Sequence, residues 1–252
     1  VGAVAFTVLP LGDAIRFVAD AARAVHDGRL GHPGLAVHFC NAYNVALAKS
    51  DPGYARQLEA ADVVFSDGVP ITWVGKRAYP DQASTWERVY GPDVMRGVLA
   101  ASTQEGPLHY LLGSTPETLD ALTRKLSAEY PSARIVGAAS PPFRAATDDE
   151  LRERDERILA SGASIVWVGL GTPKQDAEVQ RLAASIPVVA MAVGAAFDFL
   201  AGTKAQAPVW MQRSGLEWAF RLASEPRRLG RRYVWGNSVF ALEAVRTLRA
   251  SR

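Results

Sequence analysis

Over roughly the first two hundred residues, short apolar runs rich in β-branched side chains alternate with stretches whose apolar residues recur every three or four positions. The first spacing is that of buried strands and the second that of amphipathic helices. Six strands are predicted, over Leu35 to Cys40, Asp62 to Phe65, His109 to Leu112, Ala133 to Val136, Ser164 to Val168 and Val188 to Val193. Between them, Ala14, Phe17, Val18, Ala21, Ala22 and Val25 share one helical face, and Leu119, Leu122 and Leu126 share another. Strands separated by helices build a parallel sheet with helices packed on it. The expected class is α/β and Rossmann-like, with a largely parallel sheet flanked by helices. No period of 20 to 50 residues repeats, which argues against a solenoid.

The pattern changes from Trp210 onward. Two helical stretches, Met211 to Ser224 and Trp235 to Leu248, are predicted, joined by a basic segment from Glu225 to Tyr233. Longer loops are expected at Tyr79 to Glu87 and Pro141 to Thr147, where Pro and polar residues gather. Residues 203–252 hold ten Lys or Arg against three Glu, whereas the rest of the chain holds 18 basic against 23 acidic residues. The overall charge of +2 therefore conceals an acidic body and a strongly basic end. The expected organisation is an α/β catalytic core over 1–202 and a basic helical C-terminal appendage over 203–252. Arg213, Arg221, Arg227, Arg228, Arg231 and Arg232 are interleaved there with Trp210, Trp218, Phe220, Tyr233 and Trp235. Guanidinium groups neutralise phosphate, and large aromatic rings sit well at a membrane interface, so an anionic partner or membrane surface is expected at this end; a solvated basic helix would need fewer such rings.

With 252 residues, 48% of them hydrophobic, the chain can bury a sizeable core. The charge-free stretches Ile158 to Pro173 and Leu182 to Phe197 are each 16 residues long and contain Gly and Pro. That is short of the roughly 18 to 20 that a membrane-spanning helix needs. One cysteine, Cys40, excludes a disulfide scaffold and a thiolate zinc module, and no secretory signal pattern is visible. A reducing cytoplasm is the expected compartment.

In open α/β sheets, ligands bind outside the carboxyl ends of the strands, so the strand-end turns are searched first. Asp67 follows the strand 62–65 directly, at the lip of a low-dielectric wall that suits a carboxylate working as a base. Asp67-Gly68 also makes a tight turn for purely local reasons. Gly169-Leu-Gly171-Thr172-Pro-Lys174-Gln175 leads from a strand into a helix that Thr172 would cap and Pro173 would open. Free N–H groups and Lys174 there suit a carboxylate or diphosphate. Thr172-x-x-Gln175 equally reads as a capping box, as does Ser114-x-x-Glu117, where the structural reading prevails. Gly194 opens the turn Val193-Gly-Ala-Ala-Phe-Asp198, whose small residues admit a flat ring, while Asp198 either binds a ligand hydroxyl or caps a helix. Asn41 and Asn44 follow the strand ending at Cys40 as hydrogen-bond partners for a sugar or base, or serve the local turn. Arg88 is placed to grip a phosphate bidentately or to pair with neighbouring acids.

No Gly-x-Ser-x-Gly, His-Glu-x-x-His, Cys/His metal spacing, Walker loop or Asp-x-Asp pair occurs. The segments His38-Phe-Cys-Asn-Ala-Tyr-Asn44, Ser66-Asp-Gly-Val-Pro70, Glu87-Arg-Val-Tyr-Gly91, His109-Tyr-Leu-Leu-Gly113, Val166-Trp-Val-Gly-Leu-Gly-Thr-Pro-Lys-Gln-Asp176, Val193-Gly-Ala-Ala-Phe-Asp-Phe199 and Ala207-Pro-x-Trp-Met-Gln-Arg-x-Gly-Leu-Glu-Trp218, with Arg221 and Glu225-Pro-Arg-Arg228, run in order along the chain. Together they resemble the WecG/TagA/CpsF glycosyltransferases, glycosyltransferase family 26.

The resemblance implies inverting, metal-independent transfer of a hexose or N-acetylhexosamine unit, of N-acetylmannosamine type, from a UDP-sugar donor. The implied acceptor is a polyprenyl-diphosphate-linked saccharide at the inner face of the cytoplasmic membrane, in cell-wall or extracellular polysaccharide synthesis. It implies no cofactor and no metal, peripheral attachment to the membrane, a possible homo-oligomer and no nucleic acid partner. By position, the family's catalytic carboxylate falls on Asp67, its strand-end asparagine on Asn41, its loop arginine on Arg88 and its glutamine on Gln175. Arg221, Arg228 and Arg231 are the implied diphosphate ligands. Phe39 stands where members often carry Thr, which removes a hydroxyl. Two rivals are a dinucleotide-dependent oxidoreductase, for which Leu35 to Asn44 lacks the glycine fingerprint and acidic ribose ligand, and a non-catalytic module whose basic tail holds nucleic acid.

Overall fold

The computed structural model describes residues 1–30 and 33–251. In chain order the elements are α1 (Leu11–His26), β1 (Leu35–Cys40), α2 (Ala42–Ser50), α3 (Pro52–Glu59), β2 (Val63–Ser66), α4 (Val69–Ala78), α5 (Gly91–Ala100), β3 (Leu108–Gly113), α6 (Pro116–Glu129), β4 (Arg134–Ala139), α7 (Asp148–Ala160), β5 (Ile165–Gly169), α8 (Lys174–Ser185), β6 (Val189–Ala192), α9 (Ala196–Ala201), α10 (Val209–Arg213), α11 (Glu217–Ser224) and α12 (Pro226–Ala250). The strands form one six-stranded parallel sheet in the order β2-β1-β6-β5-β3-β4. Registers such as Val37 with Met191, Val168 with Ala192 and Leu111 with Trp167 align the carboxyl ends of the strands. This is the expected α/β, Rossmann-like fold.

Two compact units make up the chain. One comprises Val1–Leu11, Phe39–Tyr90 and Gln206–Arg252; the other comprises Gly12–His38 and Gly91–Ala205. Strand β1 passes from the second unit into the first between His38 and Phe39. The tail from Gln206 is thus grouped with the β1-end and β2 region.

In the first unit, Cys40, Val45, Val64, Ile71, Trp86 and Phe240 close a core between the strand ends and helices α2, α4 and α12. Helix α4 lies so near the Trp86 ring that a Cβ on Gly75 would come within 2.3 Å of it. In the second unit, Tyr110, Val166, Val168, Val179, Leu182 and Ala190 pack between the sheet and helix α8. Full burial of each such side chain contributes about 1.5–3 kcal/mol, which is why strands buried on both faces read as apolar runs.

Local chemistry sets the helix starts. Asp51 caps α3 by accepting from Gly53 N at 2.8 Å, with Pro52 in the first turn. Thr147 and Glu150 form a capping box on α7. At α6 the cap is Thr115, whose Oγ1 accepts from Thr118 N, rather than the expected Ser114, which sits at φ 62° in the turn. Pro116 opens that helix.

Two further expectations are corrected. Helix α8 begins at Lys174, and Thr172 does not cap it; Pro173 occupies the cap position with no side-chain bond there. The left-handed residue Gly171, at φ 76°, carries the turn instead. In the tail, the stretch expected as one helix over Met211 to Ser224 breaks at Gly215, at φ 72°, into α10 and α11. The basic segment from Glu225 to Tyr233 is no connector: Pro226 starts α12, which runs unbroken to Ala250. Arginine and leucine are good helix formers, and Pro is well suited to the first turn, so dense charge marked a helix and not a loop.

Candidate active site

The site of the first unit is built on the turn after β2. Asp67 leaves the strand with its N–H donating to Cys40 O at 3.0 Å, which ties it to the end of β1. Gly68 then caps α4, and a Cβ placed there would lie 3.4 Å from Asn41 Cβ, so the β1 and β2 turns lie side by side. Asn41 caps α2: its Oδ1 accepts from Tyr43 N at 2.9 Å, while its own N–H donates to Asn44 Oδ1 at 3.1 Å. Asn44 is buried, and its Nδ2 donates to the Tyr54 hydroxyl at 2.7 Å. Both asparagines therefore do the local work of the turn.

The segment 87–90 runs beside the same strand end, because Ser66 Oγ donates to Glu87 O and Val89 N donates to Ser66 O. This delivers Arg88 to Asp67. Arg88 Nε donates to the main-chain oxygen of Asp67 at 2.7 Å, its Nη2 donates to Glu217 Oε2 on α11, and its guanidinium lies 3.8 Å over the Tyr90 ring. The Tyr90 hydroxyl donates to Glu217 Oε1 at 3.0 Å. Burial opposes the charge of Arg88, but the carboxylates of Asp67 and Glu217 prevail and raise its pKa. Burial, then the charges of Glu217 and Asp67, hold the Tyr90 phenol well above its ordinary range.

The tail supplies more guanidinium groups to this unit. Arg228 is exposed and held by Glu225, its Nη2 donating at 2.8 Å. Arg231 faces solvent. Arg232 is drawn inward, with Cζ 3.8 Å over the Tyr43 ring, and Trp235 meets the same ring edge-on. Burial lowers the pKa of Arg232, and the like charges of Arg221 and Arg228 add to the effect. Gly236 lets α12 come this close, since a Cβ there would lie 3.1 Å from Tyr43.

The second unit holds the other strand-end turns. Gly169, ending β5, leaves no room for a side chain because a Cβ would lie 2.7 Å from the Phe197 ring. Gln175 is buried and joins two turns: its Oε1 accepts from Gly171 N at 3.0 Å, and its Nε2 donates to Ala192 O at 3.2 Å. In place of a capping box with Thr172, one of the two readings the sequence left open, Gln175 forms a brace between the ends of β5 and β6. The same amide lies 3.3 Å from a Cβ built on Gly194. Lys174 Nζ sits 4.4 Å over the Phe143 ring. Asp198, in the first turn of α9, pairs with Lys204 at 2.9 Å and accepts from Thr203 Oγ1.

Thus Asp67, Asn41 and Arg88 are gathered in one unit, which also contains the tail arginines, and Gly169, Gly171, Thr172, Lys174, Gln175 and Gly194 in the other. Sequence reasoning gave no role to Glu217, Tyr90 or Tyr43, and named Arg232 only among the basic residues of the tail. Arg232 carried a usable signal, since it lies four residues after Arg228 and so shares its helix face. Among the described residues no group of three or more His, Cys, Asp or Glu side chains is arranged to hold a metal ion. No helix among them is long and apolar enough to cross a membrane.

Compared with known families, the whole chain matches the model described as the Glycosyl transferase WecG/TagA/CpsF family, over residues 1–252.

Proposed function

The chain belongs to the WecG/TagA/CpsF glycosyltransferase family and is a glycosyltransferase of cell-wall polysaccharide synthesis; from that premise we propose an inverting transfer from a UDP-sugar with Asp67 as base. The acceptor is the hydroxyl of a polyprenyl-diphosphate-linked saccharide, and the transferred unit is a hexose or N-acetylhexosamine. As the acceptor oxygen bonds to the anomeric carbon, its proton passes to the Asp67 carboxylate. The bond from that carbon to the diphosphate oxygen breaks on the opposite face, its electron pair leaves with UDP, and configuration inverts.

The observation that carries this reading is the company of Asp67 at the lip of the sheet: Arg88 bonds its main chain and Asn41 lies across the turn. Positive groups already in place where negative charge develops lower the barrier without reorganisation. Arg221, Arg228 and Arg231 are the proposed diphosphate ligands from the tail. Gly169, Gly171, Thr172, Lys174, Gln175 and Gly194 are the proposed donor-binding residues, and Asp198 a proposed ligand for a hydroxyl. Asn44 contributes by holding Asn41. In this reading no divalent ion is required, and the basic, aromatic tail rests on the anionic inner face of the cytoplasmic membrane.

A thermal-shift screen tests the donor class. A ligand that binds the native state alone at about 100 times its Kd stabilises it by about 2.7 kcal/mol, or roughly 5–10 °C at this chain length. UDP and UDP-sugars are expected to raise Tm on that scale with EDTA present, whereas NAD and DNA leave it unchanged. A shift with NAD and none with any uridine nucleotide would reverse the reading.

A further inference from the structure

Glu217 is anchored from two sides. Arg88 Nη2 donates to one carboxylate oxygen and the Tyr90 hydroxyl to the other, and Gln206 Nε2 supports the arrangement by donating to the Tyr90 oxygen at 3.2 Å. The side chains of Arg88 and Glu217 are only 18% and 14% exposed, so this ion pair is not one of the solvated surface pairs that contribute little. The guanidinium is held next to Asp67 as well, through the bond from Nε to the Asp67 main chain. Two carboxylates, those of Asp67 and Glu217, therefore share the field of one arginine.

That sharing matters for proton transfer. An arginine beside a single carboxylate lowers its proton affinity by about one to three pH units, which would leave a poor base. A second anion on the same cation offsets much of that field. We propose that Glu217 is a positioning residue for the reaction: by engaging the charge of Arg88, it keeps the neighbouring Asp67 basic enough to take the acceptor's proton. The proposal rests on the reading of Asp67 as base. Charged and titratable groups near Asp67 in this unit include Arg88 and Tyr90, from the segment after the 79–87 loop, and Glu217, from α11; α2 presents the neutral Asn41. Tyr90 keeps its proton throughout the neutral range and donates it to Glu217, while its oxygen accepts from Gln206 Nε2.

The test reads the Asp67 proton directly and needs no substrate. In protein carrying carboxyl-13C aspartate and glutamate, the Asp67 resonance is the one lost in Asp67→Asn, and its pH titration is followed by NMR. Glu217→Gln is expected to lower the Asp67 midpoint by about half a unit or more, and Glu217→Asp, which retains the charge, to restore most of it. A folded Glu217→Gln chain with an unchanged or raised midpoint overturns the proposal. If that variant does not fold, Glu217→Ser, a smaller neutral replacement, serves in its place, with the same fall expected and an unchanged or raised midpoint overturning the proposal. Failure of the underlying reading shows elsewhere: an Asp67→Asn chain that still transfers sugar at a near-normal rate removes the base, and the proposal with it, whatever the titration shows.

Discussion

His109, at the heart of the second unit, shows how burial and hydrogen bonding together fix a protonation state. Its Nδ1 accepts from Trp167 Nε1 at 3.2 Å, its Nε2 meets Ser102 Oγ at 3.0 Å, and that hydroxyl in turn donates to Val98 O at 2.9 Å. This chain of donors suits a neutral ring with its proton on Nε2. Burial accordingly lowers the pKa from 6.5 to about 4. Because the unfolded chain takes up this proton first, the stabilisation is complete above about pH 6.5 and is lost as pH falls toward 4. The expected loss is about 3 kcal/mol, read from urea melts between pH 7 and pH 4. His109→Gln should flatten that slope; an equally steep slope in the variant would assign it to other groups. Nothing in the sequence marked His109 as more than one apolar-strand residue among four scattered histidines.

Among the elements, strands were the most legible. Leu35–Cys40 matches its predicted limits, and the other five strands overlap theirs, with ends displaced by one to three residues. Period and β-branching identify a buried run, but its last residue depends on which neighbouring strand supplies hydrogen bonds, and that is a tertiary fact. Caps were less legible because Ser114, Thr115 and Thr172 offer similar hydroxyls, and backbone geometry chooses among them. The start of helix α12 was the largest misreading, since the four arginines of Glu225 to Tyr233 look like a linker when their helical context is ignored. The structure gives that helix a core role too: Leu229, Phe240 and Glu243 are buried, and Phe240 packs with Val45 and Ile71. Phe240→Ala is therefore expected to cost about 3–5 kcal/mol in chemical denaturation. A loss below 1 kcal/mol would show that the tail is merely laid on the surface.

At the scale of the whole molecule, the acidic body and basic tail seen in the sequence correspond to a fold in which the tail belongs to the unit that bears Asp67. Apolar surface accompanies that charge: Trp210 and Val234 are 63% and 70% exposed. The collinear segments that suggested a glycosyltransferase are distributed between both units, which is why the family resemblance was readable while the company each residue keeps was not. Glu217 stood in plain view within Gly215-Leu-Glu-Trp218, yet only folding brings it to Arg88, 129 positions earlier. Asp67 was singled out by its place after a buried strand, although Asp67-Gly68 reads equally as a local tight turn.

The most direct measurement is the rate of sugar transfer from a radiolabelled UDP-sugar to a prenyl-diphosphate-linked acceptor by Asp67→Asn, compared with the unaltered chain. Loss of a positioned base lowers turnover by about 10²- to 10⁴-fold. The account predicts a fall on that scale with the fold intact and the UDP-induced rise in Tm retained. Near-normal turnover by the folded variant would contradict it.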